Sequence, residues 1–84
     1  MEWDVTIAPS VKKRIAKIPQ PEKGRILTAL ARLNFGPEGD IRPLKGSSDY
    51  RLRVGGWRII LSIDSSRRLI EVEHIDVRGD IYKN

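Results

Sequence analysis

The chain has no cysteine, only one histidine, and aromatic residues at 6% of its 84 positions. Without cysteine it forms no disulfide bond and no thiolate metal site, and a lone histidine argues against structural zinc. No apolar run reaches the roughly 20 residues that span a bilayer, and the N-terminal sequence MEWDVTIAPS lacks the pattern of a signal peptide. These absences predict a cytoplasmic protein that uses no metal, no cofactor and no membrane.

The composition is that of one small globular domain spanning residues 1–84. Hydrophobic residues make up 39% of the chain and charged residues 32%, a balance that fits a folded soluble protein. The net charge is +5, and residues 42–58 contain five basic side chains against a single acid. Such a patch suggests a nucleic acid or an acidic protein as partner. An ordinary basic, solvated surface is an equally good interpretation of the charge alone.

The segment from residue 50 to 63, YRLRVGGWRIILSI, predicts a β-hairpin. Two alternating runs flank Gly55-Gly56, a dipeptide that supplies the positive φ of a two-residue turn. A two-residue loop also fixes the register of the two strands. The predicted pairs on the apolar face are Tyr50 with Leu61, Leu52 with Ile59, and Val54 with Trp57.

The opposite face of this hairpin carries Arg51, Arg53 and Arg58, with Arg53 directly opposite Arg58. Opposed like charges cost about 0.2–1 kcal/mol in a sheet, so an anionic partner is the simplest reason for them. Guanidinium groups bind phosphate bidentately and keep their charge, so three on a rigid sheet predict a phosphate site. Taken singly, each arginine is best explained as an ordinary solvent-facing strand residue.

The residues before the hairpin predict one strand and two helices. Residues 2–7 alternate between polar and apolar and predict a strand with one buried face. Pro9 suits a first helical turn, while Pro19 and Pro21 end that helix and begin a second, which runs to about residue 34. The predicted core positions of the helices are Val11, Ile15, Ile18, Ile26, Leu27, Leu30 and Leu33.

Residues 35–49 predict a long loop, since they contain three glycines and two prolines. Leu44 is predicted to anchor this loop to the core. Arg42 and Lys45 flank the start of the hairpin and are candidate RNA-binding residues. A loop that merely connects the helices to the sheet explains most of the segment equally well.

Residues 68–75 predict a third strand, which follows a four-residue turn and completes a meander. Its predicted apolar positions are Ile70, Val72 and His74. In this register Glu73 lies opposite Arg58, where it is either a salt-bridge partner or a general base.

The predicted fold class is α+β. The element order is strand, helix, helix and then a three-strand meander, giving an antiparallel sheet with a helical hairpin packed on one face. The other face stays open and carries the arginines.

The sequence resembles the RelE family within the RelE/ParE superfamily of bacterial and archaeal toxins. The resemblance rests on APS at residues 8–10, PLKG at 43–46, YRLRVGGWRIIL at 50–61 and VRGDIYKN at 77–84. It covers nearly the whole chain and agrees with the predicted order of elements.

The resemblance implies a toxin that enters the ribosomal A site and cuts messenger RNA without a metal. In that reaction the 2′-hydroxyl attacks the adjacent phosphate. The family pattern assigns catalytic roles to Arg51, Arg53, Arg58, Arg78 and Tyr82. It also implies a cognate antitoxin protein as partner, besides the ribosome and mRNA.

One departure from the family concerns the base. Well-known bacterial members carry lysine at the positions of Arg51 and Arg53, and arginine is too strongly protonated to accept a proton. The base is then Tyr82, Glu73 or a group of the ribosome, or else base catalysis is weak. Two other functions fit the same fold: a ParE-like toxin that inhibits gyrase without nuclease activity, and a weakened or decayed toxin that binds nucleic acid.

Overall fold

A computed structural model describes residues 2–77, which form two helices and a five-stranded sheet. The elements in order are β1 (Asp4–Ile7), α1 (Pro9–Ala16), α2 (Glu22–Arg32), a 3₁₀ turn (Leu33–Phe35), β2 (Asp40–Pro43), β3 (Tyr50–Val54), β4 (Trp57–Asp64) and β5 (Leu69–Val77). The strand order across the sheet is β1-β5-β4-β3-β2. The predicted α+β class and the meander are confirmed.

The sheet is mixed and not, as predicted, wholly antiparallel, because one of its pairings is parallel. Strands β2 to β5 pair in antiparallel fashion, whereas β1 runs parallel to β5, with Val5 opposite Ile70. Both helices contribute buried side chains to a single core with the sheet, so they cover one of its faces. The fully packed core comprises Val11, Ile15, Ile18, Ile26, Leu30, Leu33, Leu52, Ile59, Leu61, Ile70, Val72 and Ile75.

The hairpin of β3 and β4 has the register that the two-residue loop predicts. Gly55 has φ of 57°, the positive value that the tight turn requires. The pairs on the core face are Tyr50 with Leu61, Leu52 with Ile59, and Val54 with Trp57. Arg53 lies opposite Arg58 on the other face, as predicted.

Strand β2 lies inside the segment that the sequence assigns to a loop. It pairs along β3 at the edge of the sheet, with Ile41 opposite Leu52. Four residues ending in proline give almost no strand signal, yet an edge strand tolerates Pro43 because one side of its backbone needs no partner. The prediction for Leu44 was wrong: it is half-buried and lies outside the cluster of core side chains.

The second helix also differs from the prediction at one position. Leu27 was expected in the core, but it is 49% exposed, whereas its neighbour Ile26 is fully buried. Successive helical residues are rotated by about 100°, so a short helix on a small sheet buries only one of the two.

A β-bulge at Glu73 corrects the predicted register of β5. Leu61 lies opposite Val72, but the next residue of β4, Ile60, lies opposite His74, so Glu73 has no partner of its own. The extra residue exchanges the faces beyond it and places Ile75 in the core. His74 therefore lies on the open face and not, as predicted, on the apolar one. The physical reason is the spacing of Ile70, Val72 and Ile75, because only an extra residue in the strand lets all three side chains face the core.

Candidate functional site

Four charged side chains form a row across the open face of the sheet. Asp40 of β2 lies opposite Arg53 of β3, Arg53 lies opposite Arg58 of β4, and Arg58 lies opposite Asp76 of β5. Each arginine is thus flanked by one carboxylate, and the row is formally neutral. The repulsion expected between Arg53 and Arg58 is offset from both sides, so the pair is compatible with a stable free protein.

Arg58 and Asp76 make the strongest contact in this row. Arg58 donates two hydrogen bonds to the carboxylate, from Nε to Oδ1 at 3.2 Å and from Nη2 to Oδ2 at 3.0 Å. Their side chains are 29% and 28% exposed, which limits screening by water. The prediction that Glu73 faces Arg58 was wrong, because the bulge puts Asp76 there.

The ionisation of Asp76 follows from this contact. Burial opposes its charge, but the hydrogen bonds and charge of Arg58, together with His74, outweigh burial and hold the pKa of Asp76 below its usual range. A carboxyl with a lowered pKa stabilises the fold above its unfolded-state value and loses that contribution as the pH falls through its folded value. Asp76 is therefore a fixed negative charge beside Arg58 at neutral pH.

Arg53 is held more loosely than Arg58. Its Nε lies 3.9 Å from Oδ2 of Asp40, which is too long for a hydrogen bond, and this buried nitrogen has no hydrogen-bond partner among residues 2–77. Of the two guanidinium groups in the row, that of Arg53 therefore has fewer of its N–H donors hydrogen-bonded within the described residues.

A second row lies beside the first and contains Arg42, Arg51, Ile60 and His74. Arg42 lies opposite Arg51 and contacts Asp40 through Nε at 3.4 Å, with most of its side chain in water. The sheet thus brings Arg51, Arg53 and Arg58 to one face, as the hairpin predicts, and the unpredicted strand β2 adds Arg42. Lys45 lies in the exposed turn after β2 and belongs to neither row.

Glu73 belongs to an acidic part of the same face. Burial, the nearby carboxyl of Asp49 and the charge of Glu71 raise the pKa of Glu73 above its usual range, against the hydrogen-bonding effect of Ser62, which lowers it. Ser62 also donates a hydrogen bond to Glu71 at 3.0 Å. Glu73 therefore lies near two other carboxyls, and within residues 2–77 it forms no salt bridge with an arginine.

Replacement of Glu73 by glutamine should stabilise the protein at neutral pH. A carboxyl with a raised pKa binds its proton more tightly in the folded state, so its ionisation weakens the fold as the pH rises. The variant should melt above the parent near pH 7, and the difference should vanish at acid pH. Melts of parent, E73Q and D49N across pH test this, because D49N removes the other partner and should act in the same direction. A lower melting temperature for E73Q at pH 7 would contradict the assignment.

The sequence missed three residues of this site: Asp40, Asp76 and His74. Asp40 was missed because the short edge strand that contains it was predicted as part of a loop. The other two were displaced by the bulge, whose signal was present in the chain: apolar residues occupy even positions at Ile70 and Val72 but an odd one at Ile75.

Two of the predicted catalytic residues, Arg78 and Tyr82, lie outside the described residues. Within residues 2–77, no group of three or more histidine or acidic side chains could hold a metal ion. No helix of that part of the chain is long and apolar enough to cross a membrane.

The chain matches no protein-family model and no curated protein sequence. Solved structures do match it. The archaeal RelE–RelB complex from Pyrococcus horikoshii OT3 has a TM-score of 0.81 and 27% identity, over 94% of this chain and 98% of that one. The RelB–RelE complex from Methanococcus jannaschii has a TM-score of 0.73 and 23% identity, over 92% and 94% of the two chains.

The isolated E. coli RelE toxin shares the fold at lower identity, with a TM-score of 0.73 and 14% identity over 95% of this chain and 90% of that one. The last two likenesses, below 25% identity, concern the fold, whereas the Pyrococcus match adds sequence similarity along nearly the whole of both chains. The chain is thus similar to RelE toxins, and the resemblance predicted from the sequence is confirmed.

Proposed function

We propose that this protein is the toxin of a type II toxin–antitoxin system and that it cuts messenger RNA in the ribosomal A site. The observation that carries the proposal is the cluster of Arg51, Arg53 and Arg58 on a rigid, open sheet face. A preorganised set of guanidinium groups can hold a phosphate and stabilise the charge that develops on it. Such a reaction needs no metal when the nucleophile is the neighbouring 2′-hydroxyl.

Arg58 is the group best suited to the transition state. A guanidinium has five N–H donors, and Asp76 uses two of those of Arg58 within the described residues, which leaves three for a phosphate. The bidentate contact with Asp76 fixes the plane of the group before the RNA arrives. Charge stabilisation by a donor that does not need to reorganise is the most effective kind.

The remaining arginines have supporting roles in this proposal. Arg53 and Arg51 would hold the scissile phosphate, and Arg53 has the less satisfied guanidinium of the charged row. Arg42 and Lys45 would contact the RNA backbone on either side of it. Arg78 and Tyr82 are assigned to the site by the resemblance alone.

The partner in this proposal is a cognate antitoxin protein that keeps the toxin inactive in its own cell. The Pyrococcus and Methanococcus structures are complexes of RelE with RelB. The antitoxin would silence the toxin by covering the arginines of the open face with acidic side chains of its own. The toxin would act in the cytoplasm, where translation takes place.

Cleavage should require the ribosome. The ribosome would hold the RNA so that the 2′-oxygen, the phosphorus and the leaving oxygen lie in line, and such orientation is worth several kcal/mol. Primer extension on an mRNA under translation should give sharp cuts within codons, which added antitoxin abolishes. The same RNA without ribosomes should remain intact. Fast cleavage of naked RNA would contradict ribosome dependence, and gyrase-dependent DNA breaks without RNA cuts would support a ParE-like activity instead.

A further inference from the structure

His74 is linked to Arg58 through a shared carboxylate. Its Nε2 lies 3.3 Å from Oδ2 of Asp76, the same oxygen that accepts the hydrogen bond from Nη2 of Arg58. The His74 side chain is 62% exposed, so it is accessible from the open face. It lies opposite Ile60, which in turn lies opposite Arg51. The imidazole therefore belongs to the second row and contacts Asp76 of the first.

We propose that His74 is the general base that removes the proton of the attacking 2′-hydroxyl. The inference rests on the proposed nuclease function and names the base that the arginines cannot supply. Asp76 contacts one ring nitrogen and leaves the other, Nδ1, to accept a proton. A carboxylate that orients an imidazole and compensates the imidazolium is a recurrent arrangement in general-base catalysis.

The proposed step balances without any further reagent. Nδ1 accepts the 2′-hydroxyl proton, the 2′ oxygen bonds to phosphorus, and the bond from phosphorus to the 5′ oxygen breaks. The 5′ oxygen takes a proton from water, and the hydroxide that this leaves is neutralised by the proton that the imidazolium gives up. The products are a 2′,3′-cyclic phosphate and a 5′-hydroxyl, with His74 returned to its neutral form.

His74 is better placed for this role than Glu73, one of the bases that the sequence left open beside Tyr82 and a group of the ribosome. Glu73 interacts with Asp49 and Ser62 in the acidic part of the face. His74 instead shares Asp76 with the arginine that would stabilise the transition state. The base and the charge-stabilising group are thus held by one carboxylate, which fixes their relative position.

The charges around His74 come from three elements. Asp76 of the same strand contacts the ring, Arg58 of β4 binds the same carboxylate, and Arg14 of α1 lines a surface cleft together with Ser10 and His74. A base acts only in its neutral form, so cleavage should rise with pH over the range in which His74 loses its proton.

The test compares the pH dependence of single-turnover cleavage for the parent, H74Q and E73Q on ribosomes that carry mRNA. We expect H74Q to cleave about 10²-fold more slowly at neutral pH and to lose the rise with pH. Since the chain has one histidine, its ring signals in an NMR titration are unambiguous. In the parent, these signals should shift over the same pH range as the rate. The thermal melt of H74Q should match that of the parent, because the ring is exposed.

Each outcome decides one question. If the parent cleaves and H74Q cleaves at the same rate with the same pH dependence, the role of His74 is refuted and the proposed function stands. If E73Q alone loses the pH-dependent rise, Glu73 is the base and this inference is wrong. If the parent cuts no translated mRNA, the proposed function and this inference fall together.

Discussion

Replacement of Arg58 by alanine should lower the rate of mRNA cleavage by about 10²–10³-fold, the usual effect of losing one preorganised donor to a transition state. The protein should remain folded but lose about 1–2 kcal/mol of unfolding free energy. The loss arises because Asp76 would keep its partly buried charge without the two hydrogen bonds that now satisfy it. The measurement is a denaturant melt beside cleavage of translated mRNA for the same preparation.

A double variant separates the two effects. Arg58→Ala combined with Asp76→Ala leaves no unpaired charge, so it should be more stable than Arg58→Ala alone while cleavage stays low. Arg53→Ala should reduce cleavage less and cost less stability, since the 3.9 Å between Arg53 and Asp40 is too long for a hydrogen bond. Cleavage at the parent rate by Arg58→Ala would show that this arginine has no catalytic role. A loss of stability much greater than 2 kcal/mol would show that its role is structural.

Replacement of Ile59 by alanine should remove about 2–5 kcal/mol of stability, the range for large-to-small changes in a packed core. Ile59 is fully buried between the helices and the sheet. Domains of this size have only about 5–15 kcal/mol in total, so the loss is a large fraction of the stability and should lower the melting temperature by at least about 8 °C. Urea or thermal melts measure the difference.

The adjacent residue supplies a matched control. Ile60 has the same side chain but lies on the open face, in the row with Arg51 and His74, and is only half-buried. Its replacement by alanine should cost less than about 1 kcal/mol, because it leaves no cavity in the core. Equal losses for the two variants would contradict the assignment of faces in β4.

The hairpin shows how much of the site could be predicted from the sequence. Its alternation and Gly55-Gly56 determine the turn, the turn determines the register, and the register places Arg53 opposite Arg58. Each of these steps depends on residues close together in the chain. The helices could be predicted for the same reason, since their bounds follow from prolines and a local apolar period.

Strand β5 shows where local reasoning failed. A simple alternation from Ile70 onward assigns His74 to the core and Glu73 to Arg58. The bulge reverses both assignments because burying Ile75 with Val72 on one face requires an extra residue between them. The shift in spacing was visible in the sequence, but the position of the bulge depends on the pairing with β4.

The sequence by itself determined the presence and position of the arginines, because the hairpin that carries them is specified by neighbouring residues. Only the tertiary structure decided what surrounds them. Asp40 lies opposite Arg53 because of an edge strand that is too short to be predicted. The bulge in β5 places Asp76 opposite Arg58 and puts His74 on the same face. These neighbours come from strands distant in the chain, and their faces are fixed when the sheet packs against the helices. The charge balance and the proposed base are therefore properties of the assembled sheet.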